Sequence, residues 1–165
     1  MEREWVAEES VVVGAAPAVV YEAVSDLRKM PGWSPELFAV WIRGRSIEAG
    51  TRFVGFNRIG PRVWFTNARV TAALPGELFA FRVSSFGIPV ALWGYRLEGV
   101  EGAEGDATRL TEYWQDLRRD SRGSRLVTLM GKIFTGVPAE RRAALNRAGM
   151  RATLERIKAA VERKR

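Results

Sequence analysis

The sequence predicts an α+β domain: a curved antiparallel sheet of six to seven strands wrapped around one long C-terminal helix, with two short helices after the first strand. Three observations predict it. Residues 139–163 contain no helix breaker except Gly149, and Met150, Leu154, Ile157 and Val161 recur there at spacings of four, three and four, which places them on one face. The preceding hundred or so residues break into short β-like runs at 8–12-residue spacing, each ended by Gly or Pro. The composition, 47% hydrophobic and 27% charged in 165 residues, suits one domain over residues 1–165 with a core of useful size.

The elements follow in order. Trp5–Val13 alternates and is rich in valine, so it reads as a first strand. Gly14-Ala15-Ala16-Pro17 turns the chain, and Val20, Val24 and Leu27 mark a short amphipathic helix from Pro17 to Leu27. Met30-Pro31-Gly32 halts it, leaving room for a further half-turn before Pro35. Strands are then expected at Leu37–Arg43, Thr51–Ile59, Arg62–Ala73, Glu77–Ser85, Ala91–Val100 and Thr108–Leu117, an antiparallel meander. Arg118–Arg125 reads as a polar loop and Leu126–Phe134 as an apolar, helical segment. Residues 126–137 are either a lid over a cavity mouth or an ordinary packing segment. Pro138 then opens the long helix, about 37 Å at roughly 1.5 Å per residue.

Alternation assigns strand faces. Trp64, Thr66, Ala68 and Val70 share a side, as do Phe79, Phe81 and Val83, then Trp93, Tyr95 and Leu97, then Leu110, Glu112, Trp114 and Asp116. These aromatic-rich sets are assigned inward, although Val63 and Phe65 make the other face of their strand apolar too.

Composition excludes several chemistries. There is no cysteine and no histidine, which removes thiolate nucleophiles, imidazole bases and zinc sites of Cys/His type. No phosphate-binding glycine loop occurs, so an enzyme here would work without a cofactor or metal. No run reaches the length of a membrane span, and Met1-Glu2-Arg3-Glu4-Trp5 is too charged for a secretory signal, so the expected location is cytoplasmic. Net charge is +7, unevenly placed: residues 1–116 hold 12 basic and 15 acidic side chains, residues 117–165 hold 14 and 4. A solvated helix face with a charged loop accounts for this. A weak peripheral contact with an anionic surface is the other reading, and the lack of interleaved aromatics argues against specific nucleic-acid binding.

The order of elements, with Pro17-Ala18-Val19-Val20-Tyr21, Val24-Ser25-Asp26, Met30, Trp33-Ser34-Pro35-Glu36, Trp41, Gly50-Thr51-Arg52-Phe53, Gly55-Phe56-Asn57-Arg58, Trp64, Val70 and Leu74-Pro75-Gly76, resembles the helix-grip fold of the SRPBCC (START and pollen-allergen-like) superfamily. Phe79-Ala80-Phe81, Trp93-Gly94-Tyr95, Thr108–Glu112 and Thr153–Lys158 carry the resemblance to the end of the chain. More closely, the sequence resembles the bacterial polyketide cyclase/dehydrase and lipid-transport family. That resemblance implies a sheet gripping the long helix around a cavity for a hydrophobic molecule, in proteins that cyclise polyketides, carry lipids or sense small molecules.

Trp33, Trp41, Trp64, Phe79, Phe81, Trp93, Tyr95 and Trp114 are the candidate aromatic lining, joined by Asn57, Phe134, Asn146 and Met150. The alternative is that the aromatics fill the core. Glu112 lies mid-strand on an apolar face, where a carboxylate is costly unless paired or protonated. Asn57, Arg58, Arg62 and Asn146 are its possible partners. If the site is catalytic, Glu112 is the general base, with Glu36 and Asp26 the other carboxylates open to that role and Arg58 or Arg62 stabilising an enolate; otherwise Glu112 is half of a structural ion pair or a glutamate at the sheet edge. Binding or carriage of a small polyketide- or lipid-like molecule is the leading expectation, and a cofactor-independent cyclase or dehydratase the alternative. Monomer and homodimer are both compatible with the sequence.

Overall fold

The computed structural model describes residues 3–101, 106–119 and 122–164. In chain order it contains β1 (Val6–Val13), α1 (Pro17–Ser25), a 3-10 turn (Leu27–Lys29), α2 (Met30–Trp33), β2 (Leu37–Ile42), β3 (Arg52–Ile59), β4 (Arg62–Leu74), β5 (Leu78–Ser85), β6 (Ile88–Gly99), β7 (Thr108–Asp116), α3 (Arg122–Thr135) and α4 (Ala139–Arg163). Residues 102–105, between β6 and β7, lie outside the described residues.

All strands join one seven-stranded sheet in the order β1-β7-β6-β5-β4-β3-β2, every pair antiparallel. Strands β2 to β7 follow one another as a meander, and β1 adds beside β7. Strands β1 and β2 are the two edges, so the sheet is curved but open. This is the helix-grip arrangement: the long α4 lies along β1 and the concave face.

Two boundaries depart from the expectations. Strand β6 begins at Ile88, so Pro89 sits inside a strand; it is placed where the β5 register shifts between Val83 and Ser84, an irregularity that tolerates a residue without an N–H. Helix α3 begins at Arg122, so the polar Arg122–Arg125 stretch is helical and not loop. Gly136, at φ +73°, ends that helix by donating its N–H to Lys132 O at 3.0 Å.

The core divides along α4. Leu154, Ile157 and Val161 pack with Val13, Val20, Val24, Leu27, Val70, Phe79, Leu97 and Leu110 into a filled cluster. Ala143 and Met150, nearer the start of α4, meet Ala7, Ala91 and Trp114 in a second and smaller one. Side chains on α4 clamp it to β1: Arg147 donates to Glu4 and Val6 O, Arg151 pairs with Glu9, Lys158 donates to Val12 O, and Glu162 accepts from Gly14 N. The basic C-terminal third is therefore partly neutralised by acidic residues of the N-terminal part. Among the described residues no helix is long and apolar enough to cross a membrane.

Candidate functional site

Where the filled core ends, the concave face, α3 and the N-terminal half of α4 enclose a cavity of about 570 Å³. Its wall follows from strand pairing. Trp93 stands opposite Trp114 and Phe81 opposite Trp93, so three aromatic rings sit side by side across β5, β6 and β7. One step along, Tyr95 stands opposite Glu112. Asn57 and Trp64 face each other across β3 and β4. Met130 and Phe134 of α3 and Asn146 and Met150 of α4 complete the enclosure.

Of the residues the sequence nominates, Asn57, Trp64, Phe81, Trp93, Tyr95, Glu112, Trp114, Phe134, Asn146 and Met150 share this wall. Five do not. Trp41 is 59% exposed on edge strand β2, because an irregularity between Leu37 and Ala39 shifts the register and turns the tryptophan outward. Phe79 is on the inward face but at the filled end, edge-on to Tyr21 of α1. Trp33 packs against the same filled core. Arg58 is exposed and lies over the Phe38 ring outside the sheet, 5.2 Å from its centroid. Arg62 sits at the hairpin tip and donates to Ile133 O of α3. Neither arginine reaches Glu112, so the expected Glu–Arg pair does not form.

Two other arginines line the cavity, and both are committed. Arg142 donates to Glu36 at 2.6 Å, tying α4 to the segment before β2. Arg118 grips Asp116 through Nε and Nη2, both at 2.9 Å, and Arg3 adds a third contact from outside at 2.7 Å. Arg142 lies one turn before Asn146 on the inward helix face, so helical spacing alone was enough to find it. Ser34 accepts from the N–H groups of Glu36 and Leu37, which explains the Ser-Pro-Glu run: its hydroxyl fixes the turn that presents Glu36 to Arg142.

Glu112 is 6% exposed, and among the described residues no cation stands beside it. The Tyr95 hydroxyl donates to Glu112 Oε1 at 3.3 Å, while Oε2 has no partner. Burial pushes the Glu112 carboxyl up to about 8, the tyrosine hydrogen bond offsetting only part of it. Burial and the neighbouring carboxyl push the Tyr95 hydroxyl well above its usual value. At neutral pH the pair is therefore an uncharged acid held by an uncharged phenol. Asn146, 4% exposed, has an unpartnered Nδ2.

An open helix-grip sheet around a mostly apolar cavity defines a class of ligand-enclosing proteins. The chain belongs to the polyketide cyclase/dehydrase and lipid transport family, whose model matches residues 4–162. No curated relative matches at a significant level. Among solved structures it is similar to an aromatase/cyclase from Streptomyces sp. R1128, at 15% identity, TM-score 0.71, covering 96% of this chain and 94% of that one. It is also similar to a polyketide-cyclase-like protein from Corynebacterium glutamicum, at 28% identity, TM-score 0.61, covering 98% and 94%. A START superfamily protein from Mycobacterium smegmatis aligns at 14% identity, TM-score 0.63, covering 98% and 100%.

Proposed function

We propose that the protein binds and carries a small, largely apolar molecule, polyketide- or lipid-like in character, in the cavity beneath α3. The observation that carries this reading is the space itself: about 570 Å³ walled by Phe81, Trp93, Trp114 and Met150. That volume lies within the range of small-molecule sites, roughly 300–1,000 Å³. Displacement of 1-anilinonaphthalene-8-sulfonate by apolar compounds, together with native mass spectrometry of gently purified protein, tests it. Co-purified or displaceable apolar ligands are expected, and a protein that binds none of them refutes it.

The cyclase/dehydratase alternative draws support from one feature, a buried, protonated Glu112 on the cavity wall with one oxygen left unpartnered. It lacks the cation that enolate stabilisation asks for, since Arg118 and Arg142 are already held by Asp116 and Glu36. Turnover of a poly-β-ketone by the wild type, abolished in Glu112→Gln, would restore it over carriage.

The reading extends to delivery. Helix α3, at the cavity mouth, turns Leu126, Leu129 and Ile133 outward, each more than half exposed, with Arg122, Arg125 and Lys132 on the same element. An apolar ridge with basic flanks suits weak contact with an anionic lipid surface. Vesicles of phosphatidylglycerol should bind the protein at low salt and lose it as salt rises.

A further inference from the structure

We infer that α3, the start of α4 and the segment after β7 form a second binding site, a basic groove that takes a phosphate-bearing group, phosphomonoester or diphosphate. The site stands whether or not the cavity carries a ligand.

Helix α3 is two-sided. Val127, Met130, Gly131 and Phe134 line the cavity, while Arg125, Thr128, Leu129 and Lys132 line a separate groove of about 290 Å³. Both sets have the same internal spacing and are offset by two residues, about 200° around the helix, so they occupy opposite faces. Arg3, Arg118 and Arg119 line the same groove, with Glu140 in the first turn of α4. Arg118 borders both spaces.

The charge in this groove is not answered by the protein. Four cations of α4 are engaged: Arg142 with Glu36, Arg147 with Glu4, Arg151 with Glu9 and Lys158 with Glu162. Among the described residues the exposed Arg119, Arg125 and Lys132 pair with no carboxylate. Arg3 and Arg118 both hold the buried Asp116, which fixes them in place and cancels one of their two charges. Five cations thus stand against Asp116, Glu140 and Asp120, the last following Arg119 in the sequence outside the described residues, a balance of +2. Pro138 gives α4 no side-chain cap, so the positive end of that helix adds to the field.

Like charges gathered in one concavity repel one another until an anion answers them. Arginine forks and a lysine match the oxygens of phosphate, and a dianion matches the balance where a single carboxylate would not. Leu129, exposed in the same groove, offers an apolar shoulder for the carbon part of a phosphate ester.

Pyrophosphate titrated into the isotope-labelled full chain at low salt should bind saturably below about 1 mM. Amide shifts should cluster at Arg119, Arg125–Lys132 and Glu140. Arg125→Ala with Lys132→Ala should weaken binding at least about tenfold, the loss of two charge-assisted contacts. Both side chains are exposed and unpaired, so the fold should survive. Arg69→Thr with Arg82→Thr removes the same charge from cross-strand neighbours on β4 and β5, and should change the affinity by less than about twofold at matched ionic strength. Absence of saturable binding overturns the site. Equal weakening by the two double variants overturns it in favour of general attraction to a basic protein, and shifts centred on Trp93 and Trp114 overturn its location. Vesicles then separate the sources of the phosphate. A preference for phosphatidic acid over phosphatidylglycerol at equal surface charge, lost in the α3 double variant, supports a lipid headgroup. Equal binding of both vesicles beside saturable pyrophosphate binding supports a soluble phosphate ester.

Discussion

Glu112 and Asp116 lie four residues apart on the same face of β7, and the fold treats their carboxyls in opposite ways. Burial acts on both. At Asp116 the hydrogen bonds from Arg118 and Arg3 outweigh it and hold the carboxyl below its usual range. At Glu112 no cation answers, and burial wins. One strand thus carries a fixed anion at its end and a neutral acid on the cavity wall.

Stability should fall as pH rises from about 4.5 to about 8. Over that window the native Glu112 keeps a proton that the unfolded chain has released, so the unfolded state gains with each step in pH. The full difference is on the order of 4 to 5 kcal/mol. Urea midpoints measured from pH 5 to 9 check it, and Glu112→Gln should flatten the slope. Asp116 acts on the other side: its contribution is present above its unfolded value of 3.8 and is lost as pH falls through the lower folded one.

Removing Asp116 should be costly in its own right. Asp116→Ala leaves Arg118, 9% exposed, as an uncompensated buried cation, and a loss of about 3–5 kcal/mol is expected. Thermal unfolding at neutral pH measures it. The double variant Asp116→Ala, Arg118→Met should recover most of that loss.

Filling the cavity should separate binding from stability. Ala91 is buried on the wall beside Trp114. Ala91→Phe has open space to occupy, so 1-anilinonaphthalene-8-sulfonate binding should drop by at least tenfold while stability changes by less than about 1 kcal/mol. A variant that binds the dye as the wild type does would place the ligand elsewhere.

The end of α3 should be sensitive to one methyl group. Gly136 holds φ +73°, and a Cβ there would stand 2.9 Å from Arg62 Nε, the side chain that ties α3 to the β3–β4 hairpin. Gly136→Ala should cost about 1 kcal/mol through backbone strain and, by displacing Arg62, speed hydrogen exchange in the last turns of α3. Ligand release should quicken with it.

Gly94 is a second tight position. It pairs with Tyr113, whose ring covers it and is itself capped by the Arg96 guanidinium at 5.1 Å. Gly94→Ala should cost about 1–3 kcal/mol by overpacking, and much less in a Tyr113→Ser background. Denaturant titration of the four proteins gives the coupling.

Much of this was legible in the sequence, for a physical reason. A period of two in the strands and of 3.6 in the last helix records which side meets the interior, so Trp64, Phe81, Trp93, Trp114 and Met150 could be assigned a face. Face is not depth. Phe79 and Arg62 share the inward parity of their strands, yet one lies where α1 fills the core and the other at the hairpin tip. Arg58 was excluded by parity once Asn57 was taken inward, because strand neighbours point to opposite sides. Trp41 was not excluded by anything in the sequence, since the register shift that turns it outward leaves no local signature. Arg118 and Asp116 came together because β7 ends where its chain turns, a contact that alternation does not encode.

The position of β1 in the sheet has a consequence for how the chain reaches this state. Each strand from β2 to β7 pairs with the strand next to it in the sequence, but Ser10 and Thr111, bonded at 2.7 Å, are separated by 101 residues. During synthesis β1 is made long before β7 exists to receive it, and closing so large a loop costs more entropy than any hairpin in the meander. Newly made chains should thus spend their most vulnerable interval with a valine-rich ribbon unmatched, open to a holdase or to another nascent copy.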